Sequence, residues 1–105
     1  RIMVVRLKGT VTISILIAYA PTAMDADAMK DLFYNILKEE TRKAKPKGYV
    51  IILGDFNARV QTTLSEEEEC IGQFTLDKEN HRLTTQTEEV IDNRNRIIDF
   101  ATHID

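Results

Sequence analysis

The chain has 105 residues and a mass of 12.0 kDa, which allows at most one domain. Its composition, 43% hydrophobic and 30% charged, is typical of a globular protein and excludes disordered, collagenous and disulfide-rich classes. Because the formal net charge is -3, the surface as a whole does not attract a polyanion, and any contact with nucleic acid has to be local.

The number of cysteines and the length of the apolar stretches exclude two further features, an internal disulfide and a membrane span. The single cysteine, Cys70, excludes an internal disulfide. The longest apolar stretches, residues 15–20 and 49–53, are too short for a membrane span of roughly 20 residues, so we expect no membrane span. The chain begins at Arg1, directly in an apolar run, which predicts that it is a piece of a longer polypeptide.

A β-hairpin is predicted at the start of the chain. Residues 1–7 form a run that is rich in apolar and β-branched residues, and Lys8-Gly9-Thr10 is a short polar break before a second strand. In that strand every second residue falls on one apolar face: Val11, Ile13, Ile15, Ile17 and Tyr19. The opposite face becomes apolar toward its end, at Leu16, Ala18 and Ala20, which predicts a strand covered on both sides there.

A helix is predicted next. Thr22 and Asp25 have the spacing of a capping box, with Asp in place of the usual Glu or Gln. Apolar residues then recur at helical spacing, which predicts a buried stripe of Met29, Leu32, Phe33, Ile36 and Leu37. On the opposite side we expect four residues in water: Lys30, Asp31, Lys38 and Glu39.

A third strand and a crossover complete a βαβ unit. The end of the helix is indicated by the basic run Arg42-Lys43-Ala44-Lys45, followed by Pro46 and Gly48. The apolar residues 49–53 then predict a strand buried on both faces. Strand, helix and strand in this order predict parallel strands with a right-handed crossover. The geometry therefore brings Tyr19 and Asp55 to the carboxyl ends of neighbouring strands.

The remainder is less regular. Residues 59–93 predict loops with at most short elements, and the acidic residues 65–69 are expected in solvent. Asp92 or Asn93 is expected to cap a last helix with an apolar stripe, formed by Ile97, Ile98, Ala101 and Ile104. The predicted fold class is therefore α/β, with one domain over residues 1–105: a β-hairpin, a βαβ unit, loops and a C-terminal helix.

The polar residues at the predicted strand ends are the candidates for chemistry. Ligands of open α/β sheets bind outside the carboxyl ends of the strands. Asp55 there can take a proton from water while Asn57, two residues on, donates a hydrogen bond. Phe56 between them is expected to turn into the core. Asp and Asn also favour turns after strands for purely structural reasons.

These residues resemble a known family. The segments Tyr19-Ala20-Pro21-Thr22 and 51–59, with Gly54-Asp55-Phe56-Asn57 at its centre, resemble the endonuclease/exonuclease/phosphatase superfamily. The most similar members are the apurinic-type endonuclease domains of non-LTR retrotransposons and craniofacial development protein 2-like relatives. Residues 93–100 are similar to an Asn-Gly-x-x-Leu-Leu-x-Phe segment of those domains. The resemblance implies part of a DNase I-like α/β sandwich.

The resemblance also implies a reaction, the hydrolysis of a phosphodiester in DNA. Asp55 would activate or position the attacking water, Asn57 would orient the phosphate or the water, and Tyr19 would contact the scissile phosphate. Thr22 stands where several relatives carry an Asn that binds the phosphate, so it is the substrate-binding candidate. Mg²⁺ would neutralise the developing charge. If the parent is a retroelement protein, a nuclear location is expected.

Departures from the family pattern leave alternatives open. The acidic metal ligand of an earlier strand and the closing Asp-His pair have no counterpart here, and Arg94 replaces a usual Gly. We therefore expect a fragment that is not competent alone, or an inactive binding or structural module whose protein partner covers the open sheet edges. A small-phosphodiester hydrolase of the same superfamily is a third possibility. Tyr19, in phase with Ile15 and Ile17, also fits a core position.

Overall fold

The fold is a mixed α/β structure of three strands and two α-helices. The computed structural model describes residues 1–60, 68–72 and 86–104. The elements are β1 (Ile2–Lys8), β2 (Thr12–Tyr19), α1 (Asp27–Ala44), a 3₁₀ turn (Lys45–Lys47), β3 (Gly48–Asp55) and α2 (Glu88–His103). The predicted α/β class, with a hairpin followed by a βαβ unit and a final helix, is confirmed. Neither α1 nor α2 is long and apolar enough to cross a membrane.

The three strands form one sheet in the order β1-β2-β3. β1 pairs with β2 antiparallel, as a hairpin requires, and β2 pairs with β3 parallel through the α1 crossover. The register places Val5, Ile15 and Ile51 side by side across the sheet. β2 is therefore the central strand, and it ends level with β3.

The core lies between one face of the sheet and the two helices. β2 contributes Leu16, Ala18 and Ala20, which are almost fully buried. The helices contribute Phe33, Tyr34, Leu37 and Ala44 from α1 and Phe100 from α2. Burial raises the pKa of the Tyr34 phenol to about 12, because the charged phenolate would lose its hydration there, and the nearby positive charge of Arg96 offsets only part of this rise.

The opposite face of the sheet is uncovered by any residue that the structure describes. It carries three rows of apolar side chains across the strands: Leu7, Ile13 and Tyr49; Val5, Ile15 and Ile51; Met3, Ile17 and Leu53. We call these residues the open sheet face. On β3, Tyr49, Ile51 and Leu53 are 68%, 47% and 45% exposed. The expectation that this strand is buried on both faces is wrong, because both helices pack on the other side.

The start and the buried stripe of α1 differ from the prediction. The N-cap is Ala26, which makes no side-chain capping bond, while Thr22 and Asp25 close a turn of their own upstream. Phe33 and Leu37 are buried as predicted, but Met29, Leu32 and Ile36 are exposed. The apolar pattern of α1 is wider than the surface that β2, β3 and α2 offer to it, so part of the pattern stays exposed.

Lys30, which the sequence predicted in water, is 1% exposed. Its Nζ donates to the carbonyl oxygen of Ala23 at 2.8 Å and to the Asp92 carboxylate on α2 at 3.4 Å. Hydrogen bonding from Arg96, and to a smaller extent from Lys30, lowers the pKa of Asp92. The Lys30–Asp92 ion pair joins the two helices, which explains why a lysine is accepted there.

α2 begins earlier than predicted. Its N-cap is Thr87, whose hydroxyl accepts from the Val90 amide at 3.4 Å, so residues 88–91 belong to the helix and not to a loop. Asn93 is an interior residue of α2 and not its cap. The prediction that the acidic residues 65–69 lie in solvent is wrong at Glu68. Its side chain is only 14% exposed and pairs with Arg94.

Candidate active site

Two of the predicted site residues are neighbours across the parallel strand pair. Tyr19 and Asp55 are register partners at the ends of β2 and β3. Immediately beyond, the Ala20 amide donates to the Asp55 carbonyl oxygen at 2.9 Å, which continues the ladder by one step. Partners in register point to the same side of a sheet. The phenol and the carboxylate therefore project together, at the rim of the open sheet face.

Both side chains are accessible. Tyr19 is 58% exposed, which rejects the alternative that it is a core tyrosine. Asp55 is also exposed. Tyr19 follows Ile13, Ile15 and Ile17 in phase, but that phase leads to the open sheet face and not to the core. The exposure leaves the phenol hydroxyl and the carboxylate free to meet a ligand from solvent.

Gly54 sets the backbone just before Asp55. Its φ is +147°, and a Cβ built there would lie 1.8 Å from the carbonyl oxygen of Ala18 on β2. That distance is far inside van der Waals contact, so a side chain is excluded at this position. Glycine therefore lets the end of β3 approach β2 and brings Asp55 beside Tyr19.

Asn57 closes the turn after β3. Its amide donates to Asp55 Oδ1 at 2.9 Å, and its Nδ2 donates to the Ala20 carbonyl oxygen on the neighbouring loop at 2.7 Å. The residue has φ of +48°, a left-handed conformation that asparagine tolerates better than most residues. Phe56 packs against the core, as predicted.

Asn93, which was not predicted as a site residue from the sequence, also belongs to this arrangement. It lies on α2, is 2% exposed, and its Nδ2 donates to the carbonyl oxygens of Asn57 at 2.7 Å and Pro21 at 3.4 Å. A third element therefore holds the loops after β2 and β3. The only signal in the sequence is that Asn93 begins the weak resemblance at residues 93–100.

Thr22 is engaged with its own turn. Its amide and its hydroxyl donate to Asp25 Oδ2 at 2.8 Å and 3.1 Å. It nevertheless lines, together with Tyr19, an open groove of about 500 Å³ between the start of β1 and α1. Most of the other lining residues are apolar, including Met29, Leu32 and Ile36. The groove therefore runs from Tyr19 and Thr22 along the exposed stripe of α1, and neither Asp55 nor Asn57 lines it.

The capacity of this site to hold a metal ion depends on the exposed carboxylate of Asp55. Among the residues that the structure describes, no group of three or more His, Cys, Asp or Glu side chains could hold a metal. Mg²⁺, however, keeps several waters and often binds through one or two carboxylates together with substrate phosphates. Asp55 supplies one exposed carboxylate, and only its Oδ1 is used by the Asn57 amide.

Comparisons with known proteins add no relative. The chain matches no protein-family model, no curated protein and no solved structure. The features of this chain that indicate a function are the geometry of Tyr19, Asp55 and Asn57 and the sequence motifs that contain them.

Proposed function

We propose that this chain is part of a Mg²⁺-dependent phosphodiesterase of the endonuclease/exonuclease/phosphatase superfamily, with a DNase I-like fold. Its most specific form is a DNA endonuclease of the retrotransposon type, to which the chain contributes part of the active site without being competent alone. The observation that supports this most is the register pairing of Tyr19 with Asp55 at the carboxyl ends of parallel strands.

In this proposal each residue has a task in phosphodiester hydrolysis. The Asn57 amide holds one oxygen of Asp55, so the other oxygen can accept a proton from the attacking water. The Tyr19 hydroxyl can donate to a phosphate oxygen. The Asn57 carboxamide has two N–H groups, of which one binds Ala20 and the second remains for the phosphate or the water. Mg²⁺, when bound, stabilises negative charge on the phosphate.

The test is nicking of a supercoiled plasmid by the intact protein that contains this chain. Asp55→Asn should lower the Mg²⁺-dependent rate about 1,000-fold, because the variant cannot accept the proton of water. The matched control is Asp99→Asn, which changes an exposed carboxylate on α2. The proposal fails if the Asp55→Asn protein nicks DNA as fast as the parent. Hydrolysis of a small phosphodiester without nicking of DNA would move the assignment to the small-substrate branch of the superfamily.

The open sheet face favours a second candidate, a nuclease-derived module without catalysis. Contiguous exposed apolar surface of this kind marks an interaction site. In this case the partner is a protein that covers the sheet, and Tyr19 and Asp55 lie at the edge of the contact. Recovery of the chain as a stable soluble monomer, with no associated protein, would contradict this candidate. Loss of nicking in Asp55→Asn would favour the enzyme over the module.

A further inference from the structure

The buried carboxamide of Asn93 connects three parts of the candidate site. Its nitrogen donates to the Pro21 carbonyl oxygen, in the loop after β2, and to the Asn57 carbonyl oxygen, in the loop after β3. Neither bond lies within α2, so both restrain the two loops and not the helix. We propose that Asn93 is a positioning residue that keeps Tyr19 and Asp55 side by side, an inference that rests on the proposed function.

The loops that Asn93 joins are the ones that orient the site. Asn57 in turn bonds to the residues of the site. Its Nδ2 donates to the carbonyl oxygen of Ala20, next to Tyr19, and its backbone amide donates to Asp55 Oδ1. The hydrogen bonds therefore run in series from α2 through the β3 loop to the end of β2. Pro21 has no N–H, so its loop has one donor fewer with which to hold itself. The contact from α2 is thus a restraint that the loops cannot supply alone.

The chemistry of the contact requires an asparagine. One carboxamide nitrogen carries two N–H groups, which is the number needed for two carbonyl oxygens. Aspartate has the same shape, but it places a carboxylate against both carbonyl oxygens and offers no donor when ionised. Serine keeps one donor and shortens the reach. Asn95, on the same helix, is exposed and provides a control for the same chemical change without these contacts.

Positioning predicts a local effect that a purely structural role does not. In the 105-residue chain, hydrogen exchange by NMR should be followed at the amides of Ala20 and Asn57, which cross the site, and at Leu16 in the middle of β2. Asn93→Asp and Asn93→Ser should speed exchange at Ala20 and Asn57 about 10-fold or more, because opening of the loops needs less free energy. Exchange at Leu16 should change only as far as global stability does.

Two controls separate positioning from stability. Phe100→Leu alters a core residue of α2 that is 3% exposed, and it should lower global stability without a selective effect on the two loop amides. Asn95→Asp should change neither. If Ala20 and Asn57 exchange no faster in the Asn93 variants than in Phe100→Leu at equal stability, the positioning role is wrong. Asn93→Ser provides the measurement if Asn93→Asp does not fold.

In the intact protein, Asn93→Ser should lower kcat about 10-fold to 100-fold with KM changed less than about 3-fold, because misplaced groups impair the chemical step more than binding. An unchanged kcat, or a loss of activity that matches that of Phe100→Leu, would overturn the inference. If the intact parent protein does not cut DNA at all, the proposed function fails. The exchange measurement then still decides whether Asn93 positions the two loops.

Discussion

Gly54 shows how a single residue type places the candidate site. The carbonyl oxygen of Ala18 occupies the space of a Cβ at this position, and the φ of +147° is one that residues with a side chain rarely adopt. Glycine in the Gly54-Asp55-Phe56-Asn57 segment is therefore a structural requirement for the close approach of β2 and β3. It acts on the site by setting the direction in which Asp55 leaves the strand.

Gly54→Ala should therefore destabilise the chain by about 3 kcal/mol, from backbone strain and the clash with Ala18. Urea unfolding followed by circular dichroism measures the loss. Gly72→Ala is the matched control, because a Cβ there meets nothing within 4 Å, and its effect should be small. Equal unfolding free energies for the two variants would contradict the clash.

Arg94 is a fully buried cation, and its burial was not predicted. Its Nη1 and Nη2 donate to the two oxygens of Glu68 at 2.8 Å and 2.9 Å, and its Nε donates to the Val60 carbonyl oxygen at 3.1 Å. A planar guanidinium is suited to this two-point contact with a carboxylate. The pair ties α2 to the segment at residues 68–72 and to the chain that leaves the site after Asn57.

Glu68→Ala should lower the unfolding free energy by about 3 kcal/mol, because it removes the carboxylate that accepts two bonds from a buried guanidinium. The control is Glu69→Ala, which removes an exposed carboxylate next in the chain and should cost less than about 0.5 kcal/mol. Denaturant titration of both variants distinguishes the pair from general loss of charge. Indistinguishable titrations would mean that the ion pair does not contribute to stability.

At the scale of elements, α1 begins without a side-chain cap. Ala26 has the extended backbone of an N-cap, with φ −63° and ψ 145°, but it offers no oxygen to the free amides of the first turn. Thr22 and Asp25 hydrogen-bond to each other in a turn that precedes the helix, so neither side chain caps it. The spacing that predicted a capping box therefore belongs to a separate turn. The stability of α1 comes from its packing on the sheet.

Ala26→Ser should raise the unfolding free energy by about 1 kcal/mol, since a hydroxyl there can accept from an amide of the first turn. Ala28→Ser, two residues further on, makes the same chemical change inside the helix and should be slightly destabilising. Thermal unfolding of the two variants measures the difference. A stabilisation that is equal in both, or absent in Ala26→Ser, would show that the helix start is not limited by capping.

At the scale of the whole molecule, the sheet is covered on one side only. The open sheet face presents three apolar rows, and its rim holds Tyr19 and Asp55. A layer that covers this face would also form a wall of the site. This holds for both proposed functions, because the rest of a nuclease domain and a separate protein partner would meet the same surface.

The double variant Met3→Glu, Ile51→Glu should remove self-association of the chain while changing its stability by less than about 1 kcal/mol, because both side chains are already exposed, at 57% and 47%. The parent chain should associate as its concentration rises toward about 100 µM, measured by sedimentation. Met24→Glu, Leu32→Glu adds the same charge away from the sheet and should leave association unchanged. A parent chain that stays monomeric at this concentration would contradict the prediction.

Much of the fold and part of the site could be predicted because they depend on local patterns. Alternation over residues 11–20, helical spacing near Phe33 and the apolar residues 49–53 each define an element without knowledge of the rest. Parallel pairing then follows from the crossover, and it brings Tyr19 beside Asp55. The hydrogen bonds of Asn57 to both loops could not be predicted in this way, since they depend on the conformation of one turn.

What the sequence determined by itself is the order of the elements, the parallel strand pair and the pairing of a phenol with a carboxylate at its end. Only the tertiary structure decided which side of the sheet is covered, and that Lys30, Asn93 and Arg94 are buried. The physical reason is that periodicity shows that a face is apolar but does not show whether another element packs on it. Burial of a polar side chain is decided by distant groups, such as Asp92 for Lys30 and Glu68 for Arg94, which come close only when α2 packs.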